Sequence, residues 1–295
     1  MAIAYAISIA LALVIFFNGG LVGSSPYVAT PLGSTLLTAT MFAPAVANIA
    51  TRLITREGWS NTFLRPNLRR GWRFYLAAWL LPLMATIVGG AIYYLLFPSK
   101  FDLSMVWARE AGLIPTPWAT GPWTVATSRT VLYSLLWAPI SMFLMLGEEF
   151  GWRAYLLPKL MPLGPRRAVL LMGAIWAVWH WPAIFLGYEY GFGYWGAPVV
   201  GPLLFVLVLV FPSAFYAWVT LRSGSVWPAA IGHAVNNAAA LLMVYFLRGG
   251  WDQLIGPNTV GIVGSLGYAL LALLILFIPG ALAPTAGPRP VEPNN

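Results

Sequence analysis

Five side chains in this sequence combine useful chemistry with scarcity. The 295 residues include only eight acids and two histidines. Glu148 and Glu149 stand together at the end of the apolar run 131–146, His180 and His233 lie in apolar runs of their own, and Asn237 follows His233 by four positions. A carboxylate can take a proton from water, and imidazole and amide N–H groups can donate to an oxyanion. One glutamate and two histidines are also a set that holds catalytic zinc.

Spacing divides these residues. In the run Gly147-Glu148-Glu149-Phe150-Gly151-Trp152-Arg153, helical geometry puts Glu149 and Arg153 on one face as an ion pair and turns Glu148 about 100° away. The helix is expected to run on to Pro158. Glu149 with Arg153 then reads as support, and Glu148 as the acid free to meet water or substrate. A purely structural ion-pair cluster is the alternative. His180 precedes Pro182, whose missing N–H leaves a carbonyl one turn back needing a partner. That predicts a polar, partly hydrated pocket, with a hydrogen-bonded helix contact as the alternative. In the third segment Gly224 marks a turn, Ser225 is the expected helix cap, and Pro228 suits the first turn. His233 and Asn237 share one face and can donate two hydrogen bonds to one oxygen, or act as a polar clamp between helices. Every intramembrane acid and both histidines fall on three spans, which favours one shared site. Gly147, Gly151, Gly173 and Gly232 would let those helices approach closely.

The elements that must position these groups follow from composition. Residues are 60% hydrophobic and only 8% charged, against about 25% charged in soluble domains. So few charges cannot hydrate the surface of a globule this large, so the expected class is an all-α membrane protein of about eight transmembrane helices enclosing a polar site. Spans are expected near 2–22, 31–51, 74–97, 131–149, 168–187, 199–220, 227–247 and 259–281. Together they form a single polytopic domain over 1–281, with a proline-rich tail at 282–295 expected to be disordered. There is no cysteine, which excludes disulfides, thiolate zinc sites and cysteine nucleophiles. No Lys or Arg precedes Arg52, so a cleaved signal peptide is not expected. No internal repeat is visible.

The net charge of +8 reads as topology, not as a nucleic-acid surface, because the arginines sit between apolar runs. Arg52, Arg56, Arg65, Arg69, Arg70, Arg73, Arg153, Lys159, Arg166, Arg167, Arg222 and Arg289 fall on one side of an eight-span model. Lys100, Arg109, Arg129 and Arg248 fall on the other. This places both termini in the cytoplasm and the site within reach of that side. Trp59, Trp72, Trp123, Trp195, Trp227 and Trp251 read as interfacial anchors, and the 98–130 connection, with Trp107, Trp118 and Trp123, as a segment lying along the outer interface.

The ordered segments Glu148-Glu149-x-x-x-Arg153, Trp176-x-x-x-His180 and His233-x-x-x-Asn237 resemble the CPBP intramembrane proteases. That family includes the type II CAAX prenyl endopeptidases and the bacterial Abi-type bacteriocin-processing and immunity proteins. Its pattern is E-E-x-x-x-R, then F-x-x-x-H, then H-x-x-x-N; here Trp176 replaces the phenylalanine and keeps an aromatic wall. The resemblance covers about 130–245, and residues 1–130 carry no motif. The run Gly147–Pro158 looks like the bacterial branch and points to a prokaryotic membrane.

The resemblance implies an endopeptidase that acts on a membrane-associated peptide or membrane protein, including prenylated CAAX-type substrates. Glu148 would be the general base on a water positioned with His180. His233 and Asn237 would stabilise the oxyanion, with Glu149 and Arg153 in support. A metal-free mechanism is favoured, because His233 and Asn237 are better placed as donors than as ligands. If zinc is bound, Glu148, His180 and His233 are its candidate ligands. Two other functions compete: a non-catalytic immunity or scaffold protein of the same fold, and a proton-coupled transporter. The missing inverted repeat counts against the transporter.

Overall fold

The computed structural model describes residues 1–21, 30–114 and 123–284. Among them every regular element is a helix, and the one β-bridge joins Phe101 to Leu247. The expected tail lies almost wholly outside the described residues, as does Trp118 of the long connection.

The chain opens with α1 (Ala2–Phe17), α2 (Pro31–Thr40) and α3 (Ala43–Thr55), followed by α4 (Leu68–Leu96) and the short α5 (Val106–Glu110). Next come α6 (Trp123–Gly151), α7 (Leu157–Leu160), α8 (Pro165–Trp179) and α9 (Trp181–Ile184). The bundle closes with α10 (Val200–Ser223), α11 (Trp227–Ala239) and α12 (Leu266–Phe277). Six stretches are long and apolar enough to cross a membrane: Pro31–Thr55, Leu68–Leu96, Thr130–Leu163, Pro165–Ile184, Val200–Ser223 and Trp227–Phe246. The first and last expected spans fall on α1 and α12, which are shorter apolar helices of 16 and 12 residues. At 1.5 Å per residue they reach only about 24 and 18 Å, less than the roughly 30 Å hydrocarbon core.

The shortfall before α12 has a local cause. Residues 259–265, expected as helix, are irregular, and Asn258 and Ser265 are buried. Glycines permit this: Gly264 stacks its backbone on Gly89 of α4, too close for any Cβ. Local bonds such as Ile262 N to Leu254 O (2.8 Å) satisfy the backbone, so non-helical chain is tolerable there inside protein. Elsewhere the outward faces are apolar. Leu132, Leu136, Ile140 and Phe143 form an exposed stripe along α6, as a lipid-facing surface requires. Of the tryptophans expected as anchors, Trp59, Trp72 and Trp195 are exposed and Trp227 and Trp251 are half-buried.

Three local departures from the sequence expectations bear on the site. The motif helix does not stop at Pro158: it shifts from α to π winding over Trp152–Leu156 and resumes as α7, where Pro158 sits in the first turn and needs no N–H partner. The Phe150 carbonyl, just before this shift, accepts from Asn48 Nδ2 of α3 at 2.8 Å. The cap of α11 is Val226, with Ser225 one residue earlier; its Oγ accepts only a long bond (3.4 Å) from Trp227 N. Finally, Arg153 is fully buried. It is therefore not one of the interfacial charges that set orientation, although it was counted with them.

Candidate active site

The site grows from the segment where α3 crosses α6. Gly147 and Gly151 are one turn apart; a Cβ on them would lie 2.7 Å from the Met41 carbonyl and 2.6 Å from the Pro44 carbonyl. The start of α3 therefore lies directly on the turn that carries Glu148 and Glu149. Gly173 and Gly232 are also tightly packed, the first on Ser213 and Val210 of α10, the second on Phe215 and Tyr216.

Glu149 and Arg153 form the expected i,i+4 pair, with Arg153 Nε 3.1 Å from Oε2 and Nη1 donating to Oε1 at 3.2 Å. Both side chains are fully buried. The guanidinium lies between two aromatic faces, 4.1 Å from the Trp176 ring and 5.2 Å from Tyr216. Such stacking suits a weakly hydrated planar cation. Glu149 has a second partner that spacing did not suggest: His233 Nδ1 lies 2.8 Å from its Oε1. The Tyr216 ring stacks on the imidazole at 5.5 Å. Arg153, Glu149 and His233 thus form one buried chain from α6 and its π segment to α11. An ionised carboxylate only accepts, so His233 Nδ1 carries a hydrogen and Nε2 is the atom left for other contacts.

Glu148 points away from this chain, as the helical rotation requires. The Trp176 indole Nε1 donates to its Oε2 at 2.7 Å, and the carboxyl lines a cavity of about 250 Å³. Trp176 is therefore a hydrogen-bond donor as well as an aromatic wall. Its ring also packs edge-on against both histidines, 5.6 Å from His180 and 5.3 Å from His233.

His180 caps α8 at the break before α9, where Pro182 sits in the first turn. Its Nδ1 lies 2.8 Å from the Trp176 carbonyl. A carbonyl only accepts, so Nδ1–H donates and Nε2 is left as a lone pair. Trp179 and Phe205 flank the ring at 4.8 and 5.1 Å.

Glu148, His180, His233 and Asn237 line this one cavity. Asn237 is the most open of them, with its Nδ2 on the Met145 sulfur (3.3 Å) and its Oδ1 accepting from Asn236 (3.3 Å). Glu149 and Arg153 stand behind the wall. Other lining groups went unread in the sequence. Asn236 and the pair Tyr188–Glu189 also face the cavity, and Ser8, Ile15, Thr38 and Met41 of the first helical hairpin close one side. Glu189 is an acid outside any apolar run, so a search restricted to spans passed over it. The hairpin carries no motif at all.

Among the described residues no three His, Asp or Glu side chains come together as a metal-holding group. Glu148, His180 and His233, the candidate zinc ligands, line the same cavity.

Comparison with known proteins falls on this same region. Residues 129–239 match the family model described as type II CAAX prenyl endopeptidase Rce1-like. A relative named CAAX prenyl protease 2, from Methanococcus maripaludis, is 28% identical over 110 residues. That match spans 36% of this chain and 41% of the relative. All the motif residues lie within the matched segment, and the apolar helices fit an integral membrane protein. The family match and the relative together support placing this motif-bearing core in the CPBP family that its three motifs resemble.

Proposed function

We propose that the protein is an intramembrane endopeptidase that cuts a membrane-associated peptide with a water activated by Glu148. The observation that carries this reading is the convergence of Glu148, His180, His233 and Asn237 on one largely apolar cavity, with Glu149 holding His233 from behind. A water between Glu148 and the His180 Nε2 lone pair gives up a proton to Glu148 and attacks the peptide carbonyl. Trp176 occupies one carboxylate oxygen and leaves the other for that proton. The oxyanion is stabilised by Asn237 N–H and by His233 Nε2–H. With Nδ1–H already committed to Glu149, an Nε2 donor requires a hydrogen on both ring nitrogens, and Glu149 is then the counter-ion of the ring. Glu148 then returns the proton to the leaving amine. The cycle needs no metal.

The relative's name supplies the first substrate class to try, a peptide with a prenylated C-terminal cysteine, alongside its unprenylated counterpart. We place the termini, and the arginine-rich stretch 52–73, on the cytoplasmic side of a prokaryotic membrane. Purified protein in nanodiscs, offered both peptides, tests the reading by production of two fragments from one internal bond. An immunity or scaffold protein would instead keep its cellular effect when Glu148 is replaced by Gln, and a transporter would move solute into proteoliposomes.

A further inference from the structure

The cavity holds a second carboxylate that the mechanism above leaves unused. Glu189 lies in the connection between α9 and α10 with φ of +66°. The Tyr188 carbonyl accepts from Tyr190 N at 2.8 Å, closing a three-residue turn with Glu189 at its centre. A positive φ in a residue with a side chain is unfavourable and persists only where the surroundings impose it. Here they do. Tyr188 N is bonded to the Ala183 carbonyl, Gly191 N to the Gly187 carbonyl, and the buried Tyr190 donates its hydroxyl to the Val260 carbonyl at 2.8 Å. The turn is fixed on both sides and presents Glu189 to the cavity beside Tyr188.

No lysine or arginine lines the cavity among the described residues. Glu148, Glu149 and Glu189 in and behind its wall are set against one arginine, Arg153, which is already committed to Glu149. Acidic groups on a cavity wall that carries no lysine or arginine are costly, and an incoming cation relieves that cost. We propose that Glu189 is a specificity residue that binds a lysine or arginine side chain of the peptide entering this cavity. Calling that peptide a substrate rests on the endopeptidase reading; the cation-binding role does not.

The test separates the two. Apolar peptides are made that differ at one position in turn, carrying Lys, Gln or Glu there. Their binding is measured by fluorescence anisotropy to the Glu148→Gln protein in nanodiscs, alone and combined with Glu189→Gln, Glu189→Asp or Glu189→Lys. At one position the Lys peptide should bind about tenfold more tightly than the Glu peptide. Glu189→Asp should keep that order, Glu189→Gln should bring the ratio near one, and Glu189→Lys should invert it. A ratio unchanged by Glu189→Gln overturns the proposal. So does the absence of any charge preference, or a loss of all three peptides alike, which would assign Glu189 to the fold. Cleavage of the panel by the unsubstituted protein is scored separately. Peptides bound through Glu189 but never cut would sink the endopeptidase reading and leave the cation site standing.

Discussion

Glu149 Oε1 lies 2.8 Å from His233 Nδ1, so the acid paired with Arg153 also fixes the imidazole that faces the cavity. One carboxylate thereby joins the first and third motifs. Replacing Glu149 with Gln keeps the shape but removes the carboxylate that accepts from His233 Nδ1 and pairs with Arg153. Peptide cleavage should fall by about 10²–10⁴-fold, as when the orienting acid of other catalytic histidines is neutralised. The change also strands the buried Arg153, so the variant should melt earlier. Kinetics on the folded fraction, with thermal melts beside them, separate the two effects. Full activity would remove Glu149 from the mechanism.

The Trp176 bond to Glu148 predicts a different signature. Trp176→Phe keeps an aromatic ring against both histidines but removes the donor at 2.7 Å from Oε2. A hydrogen bond to a charged group is worth about 1.5–3 kcal/mol, so kcat should drop about tenfold or more while KM changes little. Steady-state kinetics on one peptide decides this. A change confined to KM would make Trp176 a binding wall only.

Most of this site was legible in the sequence because helical spacing and scarcity carry it. Glu148 and Glu149 diverge as a 100° step requires, and Glu149 meets Arg153 at i+4. The links between motifs were not legible. Whether Glu149 reaches His233, or Trp176 reaches Glu148, depends on how α6, α8 and α11 cross, and no local pattern encodes that. The indole N–H of Trp176 was visible as a residue type but not as a donor with an address. The fold follows the same rule. Long apolar runs announce themselves by length, whereas the irregular segment before α12 reads as span because apolar content alone does not distinguish helix from buried loop. The π winding after Gly151 leaves no composition signal, and Glu189 lies in a connection whose course depends on tertiary packing.

The close crossing of α3 and α6 makes a stability prediction. A Cβ at Gly151 would come within 2.6 Å of the Pro44 carbonyl, a backbone atom that cannot rotate away. Gly151→Ala should cost about 1–3 kcal/mol through overpacking and displace the turn bearing Glu148. Lower melting temperature in detergent, together with reduced cleavage, is the expected result. An unchanged melt would show that α3 slides freely on α6.

Charge recognition should depend on pH with a definite sign. Burial pushes the Glu189 carboxyl up to about 7, so its negative charge, and with it the preference for a Lys peptide over a Gln peptide, should grow from pH 6 to pH 8. Tyr188 stays uncharged throughout, its hydroxyl held protonated by the Glu189 charge and by burial. Glu148, His180 and His233 share the cavity, and Glu189→Gln protein measured at the same two pH values isolates the part due to Glu189. The fold follows the opposite trend. A raised carboxyl binds its proton more tightly in the native state, so its contribution to stability is complete below the ordinary carboxylate range and is lost as pH rises through about 7. Binding ratios at the two pH values check the first statement, and melts of the two proteins check the second.

The most direct test of the central claim is cleavage by Glu148→Gln protein. Purified protein in nanodiscs is given a membrane-associated peptide, in prenylated and unprenylated forms, with and without a zinc chelator, and the fragments are identified by mass. The unsubstituted protein should cut one internal bond of at least one form, and should do so equally with chelator present. Glu148→Gln should fold and bind peptide yet cut at least about 10²-fold more slowly, since the base is gone. Cleavage that persists at full rate in Glu148→Gln would contradict the account, and cleavage abolished by the chelator and restored by zinc would overturn its metal-free mechanism.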